Sequence, residues 1–136
     1  MPAPRPERLR RYVSEAITLP GVESAAIFVA GPSGDLELGA SSGVLGPALE
    51  RLVEAVKNPG HPIARTMADR VASFDATPTA PGGPALRSHL PLLIGAADPA
   101  ARRVIGVLAV AHDRPLAADA RASLQDLALA AARAAS

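Results

Sequence analysis

Residues 39–43 read Gly-Ala-Ser-Ser-Gly and fit the G-x-S-x-G pattern, in which a nucleophilic serine sits on a sharp turn between a strand and a helix. Ser41 would attack a carbonyl carbon after a histidine base had taken its proton, with a carboxylate orienting that base. The candidates for the base are His89 and His112, and the candidates for the orienting carboxylate are Asp75 and Asp98. Small residues in a turn explain the same run. We favour that interpretation, because the hydrolase pattern belongs to a larger parallel-sheet fold.

Three histidines are the other candidates for chemistry, because a neutral imidazole can bind a metal ion or a haem iron. They are His61, His89 and His112, and their spacings match no ligand motif. We therefore expect hydrogen-bonded or exposed imidazoles in loops and at strand ends, with His89 the best placed to border a pocket. The chain has no cysteine, which excludes disulfides, thiolate metal sites and thiol nucleophiles.

The 136-residue chain has 49% hydrophobic residues, which is typical of a globular protein. Its net charge is +1, which does not indicate a nucleic-acid-binding surface. For this length we expect one domain over residues 1–136, with a flexible lead at 1–5. The longest apolar run, at 104–111, has eight residues, against the roughly 20 that cross a bilayer. The N-terminus has no apolar stretch, so the sequence predicts a cytoplasmic protein without a membrane span.

Hydrophobic periodicity predicts the elements that must position these side chains. Helices are indicated by apolar residues three and four positions apart, and strands by alternating or continuous apolar runs between turn residues. In chain order the sequence predicts a helix over about 9–17, strands at 22–30 and from Leu36, helices at about 45–56 and 63–68, strands at 70–75, 86–94 and 103–112, and a helix at about 117–134. Residues 76–84 contain three prolines, which exclude both element types and predict a long loop.

This order of elements predicts an α+β fold, in which a central antiparallel sheet of five to six strands carries helices on both faces. Short connections between successive strands favour hairpins and hence antiparallel pairing. The strand at 103–112 is continuously apolar, so we expect both of its faces to be covered.

With these elements in place, the chain resembles a GAF domain, a small sensory module related to PAS domains. Three stretches carry the resemblance: residues 20–28 with the glycine-rich hairpin after them, the run Arg87-Ser88-His89-Leu90-Pro91-Leu92 with its "PL" step, and Val104-Ile105-Gly106-Val107-Leu108-Ala109-Val110, which is similar to the family's "iGvL" strand. The amphipathic closing helix follows the last of them. The resemblance covers about residues 6–134, and the order of the motifs carries more weight than any one motif.

The resemblance implies terminal helices on one face of the sheet and, on the other, a ligand pocket under loops and short helices. Members bind cyclic nucleotides, tetrapyrroles, haem, amino-acid derivatives or other small effectors, and many dimerise through their terminal helices. In this chain the Asn, Lys, Phe, Asp, Glu signature of the cyclic-nucleotide binders is not recognisable. Covalent bilin attachment and free methionine sulfoxide reductase activity both need cysteine, which this chain lacks. The cofactor, if there is one, is therefore unknown.

In the resembled fold, Arg65, Arg70 and Arg87 come from segments that meet near the pocket, where they would bind a carboxylate or phosphate bidentately. A solvated arginine beside Asp69 or Asp75 is the alternative, and we favour it because arginines are mostly surface residues. An anionic effector therefore remains a hypothesis at this point.

The loop at 76–84 would act as a mobile lid over the pocket or as an ordered connector stiffened by proline. Its two glycines lack the Lys-Ser/Thr of a phosphate-binding loop. In our preferred interpretation, the two phenylalanines pack in the hydrophobic core. In the alternative, their rings stack against a ligand. The predicted ligand-binding residues are Phe28, Arg65, Phe74, Asp75, Arg87 and His89.

Together these observations predict a small-molecule-binding regulatory module of the bacterial signalling type, which binds its effector reversibly and without catalysis. The first alternative is a dimerisation or scaffold domain whose pocket is filled by its own Leu and Ala side chains. The remote alternative is a serine-dependent, esterase-like enzyme that uses Ser41. We expect a homodimer through the terminal helices, and a separate signalling protein as the partner that reads the state of the module.

Overall fold

The computed structural model describes residues 5–43, 46–76, 86–95 and 103–135. The elements within these ranges are α1 (Arg5–Ala16), β1 (Val22–Ala30), β2 (Leu36–Ser42), α2 (Gly46–Ala55), α3 (Pro62–Asp69), β3 (Ser73–Ala76), β4 (Leu86–Ile94), β5 (Arg103–His112) and α4 (Ala118–Ala135). The strands form one five-stranded antiparallel sheet in the order β2-β1-β5-β4-β3. The predicted α+β fold with a central antiparallel sheet is confirmed.

Strands β1, β5 and β4 form the centre of the sheet. Strands β1, β4 and β5 have the bounds that the sequence predicts, and each contains at least five consecutive buried residues. Gly106 lies where β5 passes close to β1, and a Cβ atom there would be 2.1 Å from the carbonyl oxygen of Phe28. The glycine of the "iGvL" strand is therefore required by the close approach of two backbones.

The sheet separates two apolar cores, because successive side chains of a strand point to opposite faces. On the terminal-helix face, α1 and α4 bury Leu9, Val13 and Leu124 completely against the sheet. On the opposite side, which we call the roof face, α2 and α3 cover a second core that contains Phe28 and Ile63. The helices thus take the two faces that the resemblance implies.

Two predicted features differ from the structure. Strand β3 begins three residues later than predicted, because α3 runs to Asp69 and is then capped by Arg70 in the left-handed conformation (φ 63°, ψ 22°), with its N–H donating to the carbonyl of Thr66. The G-x-S-x-G run lies inside β2 up to Ser42, so Ser41 is on a strand and not on the strand-to-helix turn that a nucleophile elbow needs. The start of the predicted lead, most of the predicted loop at 76–84 and Asp98 lie outside the described residues.

Candidate functional site

A cleft of about 330 Å³ opens on the roof face between α3 and β3. Helix α3 forms one wall, and β3 with the connector before it forms the other. His89 of β4 lies between them on the sheet, and the lining also includes Pro62, Arg65, Asp69, Val71 and Ser73. The volume fits a small organic molecule.

The sequence around His61 determines which side of α3 faces the cleft. His61 is the N-cap residue: its Nδ1 atom accepts a hydrogen bond from the N–H of Ile63 at 3.1 Å, and a proline occupies the first helical turn. Ile63 and Thr66 are buried. Arg65, which lies between them in sequence, is exposed and lines the cleft. The cap and the two buried residues thus place a cation at the wall of the cleft.

His89 is one of two buried polar side chains among the described residues that line the cleft; its exposure is 4%, as is that of Thr66. No described residue forms a hydrogen bond with either ring nitrogen of His89. Neither nitrogen is fully buried, because the ring lines the cleft. Burial lowers the pKa of His89 to about 4, and the nearby His61 and Arg87, followed by His112, act in the same direction. The imidazole is therefore neutral at pH 7, and no described residue uses its N–H or its lone pair.

Arg87 lies beside His89 on the roof face, because residues two apart on a strand share a face at a spacing of about 7 Å. Its guanidinium is half-buried and makes no hydrogen bond or ion pair with any described residue. Burial lowers the pKa of Arg87, and the charge of Glu23 opposes that effect. Burial also lowers the pKa of His61, with Arg87 contributing. Arg87 and Arg65 thus provide two cations near a pair of neutral imidazoles.

Phe74 and Asp75 lie in β3 but contact α4 and the segment before it. The Asp75 carboxylate accepts hydrogen bonds from the backbone N–H of Leu116, at 3.0 Å, and from the guanidinium of Arg121. That guanidinium also lies over the Phe74 ring, 4.9 Å from its centroid. The hydrogen bond from Leu116 lowers the pKa of Asp75; burial opposes this, and Arg121 reinforces it. Asp75 itself has a φ of 58°, so β3 is locally kinked where it holds α4.

Ser88 and His112 extend this network into the core. The Nδ1 atom of His112 lies 2.7 Å from the carbonyl oxygen of Arg114, which can only accept, so Nδ1 carries the proton. Nε2 then accepts from the Ser88 hydroxyl at 2.8 Å, and Ser88 Oγ accepts from the backbone N–H of Asp75 at 3.1 Å. The pair has the spacing of a nucleophile and its base, but both side chains have 0% exposure. A substrate therefore has no access to Ser88 in this conformation, and the network is structural.

The structure brings two of the six predicted binding residues, Arg65 and His89, into the lining of the cleft, and Arg87 lies on the same face of β4 as His89. Phe28 is fully buried in the core beneath α2 and α3. Phe74 and Asp75 face α4 instead of the cleft. Arg70, the third arginine considered for an anion site, is exposed at the end of α3.

Ser41 and the histidines proposed as its base are far apart. Ser41 pairs with Ala26, Ala26 with Ala109, and Ala109 with His89, so that one row crosses four strands. Three strand spacings separate Ser41 from His89, about 14 Å, which is too far for direct proton transfer. His112 points to the opposite face of the sheet, where it is bonded to Ser88 and to a backbone carbonyl.

In the part of the chain that the structure describes, no group of three or more His, Cys, Asp or Glu side chains is placed to hold a metal ion. No helix in the same ranges is long and apolar enough to cross a membrane. Sequence reasoning missed Ser88 and Arg121, because their roles come from residues 24 and 46 positions away along the chain.

Comparison with solved structures identifies the fold. The GAF domain of a phosphoenolpyruvate-protein phosphotransferase from Acinetobacter matches with a TM-score of 0.73 at 14% sequence identity, over 98% of this chain and 83% of that one. The GAF-B domain of DevS from Mycobacterium smegmatis matches with a TM-score of 0.67 at 24% identity, over 96% of this chain and 92% of that one. This chain has the GAF fold.

The GAF resemblance inferred from the sequence is thus confirmed for the fold. The same GAF fold is shared with the reduced form of fRMsr from Staphylococcus aureus, with a TM-score of 0.64 at 12% identity over 94% of this chain and 81% of that one. Scans against protein-family models and against curated proteins find no match. In this GAF fold, the cleft with Arg65 and His89 is on the roof face, opposite the terminal helices.

Proposed function

We propose that this GAF-fold chain is a regulatory module of the bacterial signalling type, which binds a small-molecule effector reversibly in the cleft between α3 and β3 and performs no reaction on it. The observation that carries the proposal is His89, which is 4% exposed and lines the cleft with no hydrogen-bond partner among the described residues. Because the ring lines the cleft, a donor or acceptor on a bound effector can form a hydrogen bond with His89 there.

Strand β3 connects the cleft with α4, which supports a regulatory role. Ser73 and Ala76 line the cleft, whereas Phe74 and Asp75, between them, hold Arg121 of α4. β3 has four residues and pairs only with β4 within the described sheet, so it is a short element to displace. An effector that contacts β3 would shift the populations of α4 positions, and a partner protein bound to α4 would detect the change.

Native mass spectrometry of freshly purified protein, together with an ultraviolet-visible spectrum, tests the proposal. We expect a co-purifying small mass, and a Soret band if that mass is a haem. A Ser73→Leu variant fills the cleft and should lose the bound mass, whereas Ser14→Leu, at an exposed position of α1, should retain it. An empty protein that no metabolite library stabilises thermally would contradict ligand binding.

A scaffold domain without a ligand is the second candidate, and the position of Phe28 favours it. The Phe28 ring is fully buried with Ile63 and Val56, so the centre of the roof face is filled by the protein's own side chains. For a scaffold we expect an empty dimer in native mass spectrometry, and an unchanged melting temperature with every metabolite tested.

As parts of the same proposal, the chain works in the cytoplasm as a homodimer through α1 and α4, with a separate signalling protein as its partner. The alanine-rich α4 leaves Leu129 40% exposed on its outer side. Leu9 and Val13 of α1 are fully buried within the protomer. A dimer seam would therefore use the outer surfaces of the two helices, with Leu129 as its apolar contact.

A further inference from the structure

We infer, on the basis of the proposed function, that the effector of this cleft carries an oxyanion, either a carboxylate or a phosphate, and that it binds together with a proton taken up by His89. The positive charge comes from Arg65, which lines the cleft, and from Arg87, which adjoins His89 on β4. Within the described ranges neither guanidinium has an ion pair. Two unpaired guanidinium groups on one face attract an oxyanion more strongly than a neutral or cationic guest.

The charges around His89 explain why the proton is taken up only when the anion arrives. Burial and the groups that act on the ring, His61 from α3, Arg87 from β4 and His112 from β5, all oppose protonation in the empty cleft. An oxyanion against the ring reverses this balance, because an opposite charge within about 4–6 Å favours the charged form of an imidazole. The protonated ring also offers two N–H donors in place of one.

The other polar and charged groups described around the cleft do not take up the proton in place of His89. Asp69 lines the cleft on the same side as Arg65, but it is exposed and its effect is screened by solvent. β3 contributes the uncharged Ser73 to the lining. His61 cannot be protonated at Nδ1 without losing the hydrogen bond that caps α3, because that atom accepts from a backbone N–H.

Nuclear magnetic resonance of the imidazoles tests this inference, because the chain has three histidines and their signals can be assigned with His61→Asn and His89→Gln variants. The protein is titrated with acid in sodium sulfate and in sodium chloride of equal ionic strength, since sulfate keeps its charge over this range. We expect sulfate to raise the midpoint of the His89 titration from about 4 to about 5 or above. A midpoint that is the same in both salts would overturn the inference.

Two matched variants distinguish sulfate binding in the cleft from general attraction to a positively charged surface. Arg65→Gln, at an exposed position, should weaken sulfate binding about tenfold. Arg10→Gln removes an exposed arginine from α1, on the other face of the sheet, and should leave sulfate binding unchanged. Equal weakening by the two variants would show nonspecific attraction and overturn the inference.

Acetate and inorganic phosphate, added separately at pH 5.5, where both are mostly anionic and His89 can still take up a proton, distinguish the two sources of oxyanion. The anion that shifts the His89 signal at the lower concentration identifies the class. The proposed function and this inference fail in different ways. If a neutral molecule co-purifies and shifts the His89 signal while no anion does so, the cleft is a binding site and the anion inference is wrong. If no molecule of any charge shifts that signal, both are wrong.

Discussion

The hydroxyl of Ser88 lies 2.8 Å from Nε2 of His112, and both side chains are completely buried between the sheet and α4. The same hydroxyl oxygen accepts from the backbone N–H of Asp75, so one side chain joins β3, β4 and β5. On the other side of His112, Nδ1 donates to the carbonyl of Arg114, in the turn that leads to α4. This chain of hydrogen bonds fixes the position at which α4 starts.

Replacing Ser88 should therefore weaken the whole protein. Ser88→Ala leaves Nε2 of His112 and the N–H of Asp75 without a partner in the interior, and we expect the free energy of unfolding to fall by about 2 kcal/mol. Urea denaturation measures the change. Ser33→Ala, in the exposed turn after β1, should alter the free energy by less than about 0.5 kcal/mol. Equal effects of the two substitutions would contradict a structural role for Ser88.

Acid should destabilise the protein between about pH 6.5 and pH 4 because of His89. The unfolded chain binds a proton near pH 6.5 and the folded protein only near pH 4, so the stabilising effect is present above 6.5 and is lost as the pH falls. The loss is on the order of 3 kcal/mol over this range, and the lowered pKa of His61 adds to it in the same direction. Thermal melts at successive pH values should show a flatter profile for His89→Gln.

The control for that experiment is His61→Asn, because asparagine also caps a helix but does not titrate. This variant should retain most of the acid dependence if His89 is the main cause. A His89→Gln profile as steep as that of the wild type would show that another group controls the acid response.

The link between β3 and α4 should be sensitive to the charge of Asp75. Asp75→Asn keeps an acceptor for the N–H of Leu116 and tolerates the positive φ, but it removes the negative charge beside Arg121. We expect a loss of about 1 kcal/mol at pH 7. The pKa of Asp75 is lowered, so its stabilising effect is lost as the pH falls through that value. The difference between variant and wild type should therefore shrink in strong acid.

Asp126→Asn, at an exposed position of α4, is the matched control and should change the unfolding free energy by less than about 0.5 kcal/mol. A loss from Asp75→Asn that is the same at every pH would mean that the charge of Asp75 is not what holds Arg121.

Ser41 should be dispensable for any ester hydrolysis by this chain. It lies in β2, three strands from His89, and the geometry of a nucleophile and base is not formed. We expect Ser41→Ala to leave the background turnover of p-nitrophenyl acetate unchanged. Loss of a measurable wild-type turnover in this variant would revive the esterase hypothesis.

The proposed dimer should depend on Leu129. Leu129→Glu places a charge at the exposed apolar position of α4, and we expect it to shift the sedimentation coefficient at micromolar concentration from a dimer to a 13.8 kDa monomer. Gln125→Glu, on the same exposed helix surface, should leave the dimer intact. A wild-type protein that sediments only as a monomer would remove the dimer from the proposal.

The central strands were predictable from the sequence because apolar residues are concentrated in them between turn residues. β1, β4 and β5 have the predicted bounds, and β5 contains the longest apolar run, at 104–111. β3 was less predictable: the left-handed cap at Arg70 delays its start. Asp75 adopts a positive φ inside the strand, which its residue type permits but does not require.

The candidate site was predictable only where the residues follow from a strand's alternation. Arg87 and His89 are two apart and share the roof face, and Arg65 lines the cleft with His89 because the cap at His61 orients α3. The same alternation could not assign Phe28 to the interior, because burial depends on whether α2 and α3 cover it. It also could not place Phe74 and Asp75 against α4, since the β3–β4 register shifts between Ser73 and Ala76.

The sequence by itself determined the order of helices and strands and the antiparallel class of the sheet, because periodicity and turn residues act on neighbours along the chain. The tertiary structure decided which polar groups meet. Ser88 reaches His112, and Asp75 reaches Arg121, through strand register and helix docking between residues far apart in sequence. The cleft also depends on the tertiary structure, because burial by distant segments keeps His89 neutral and its residue type alone does not.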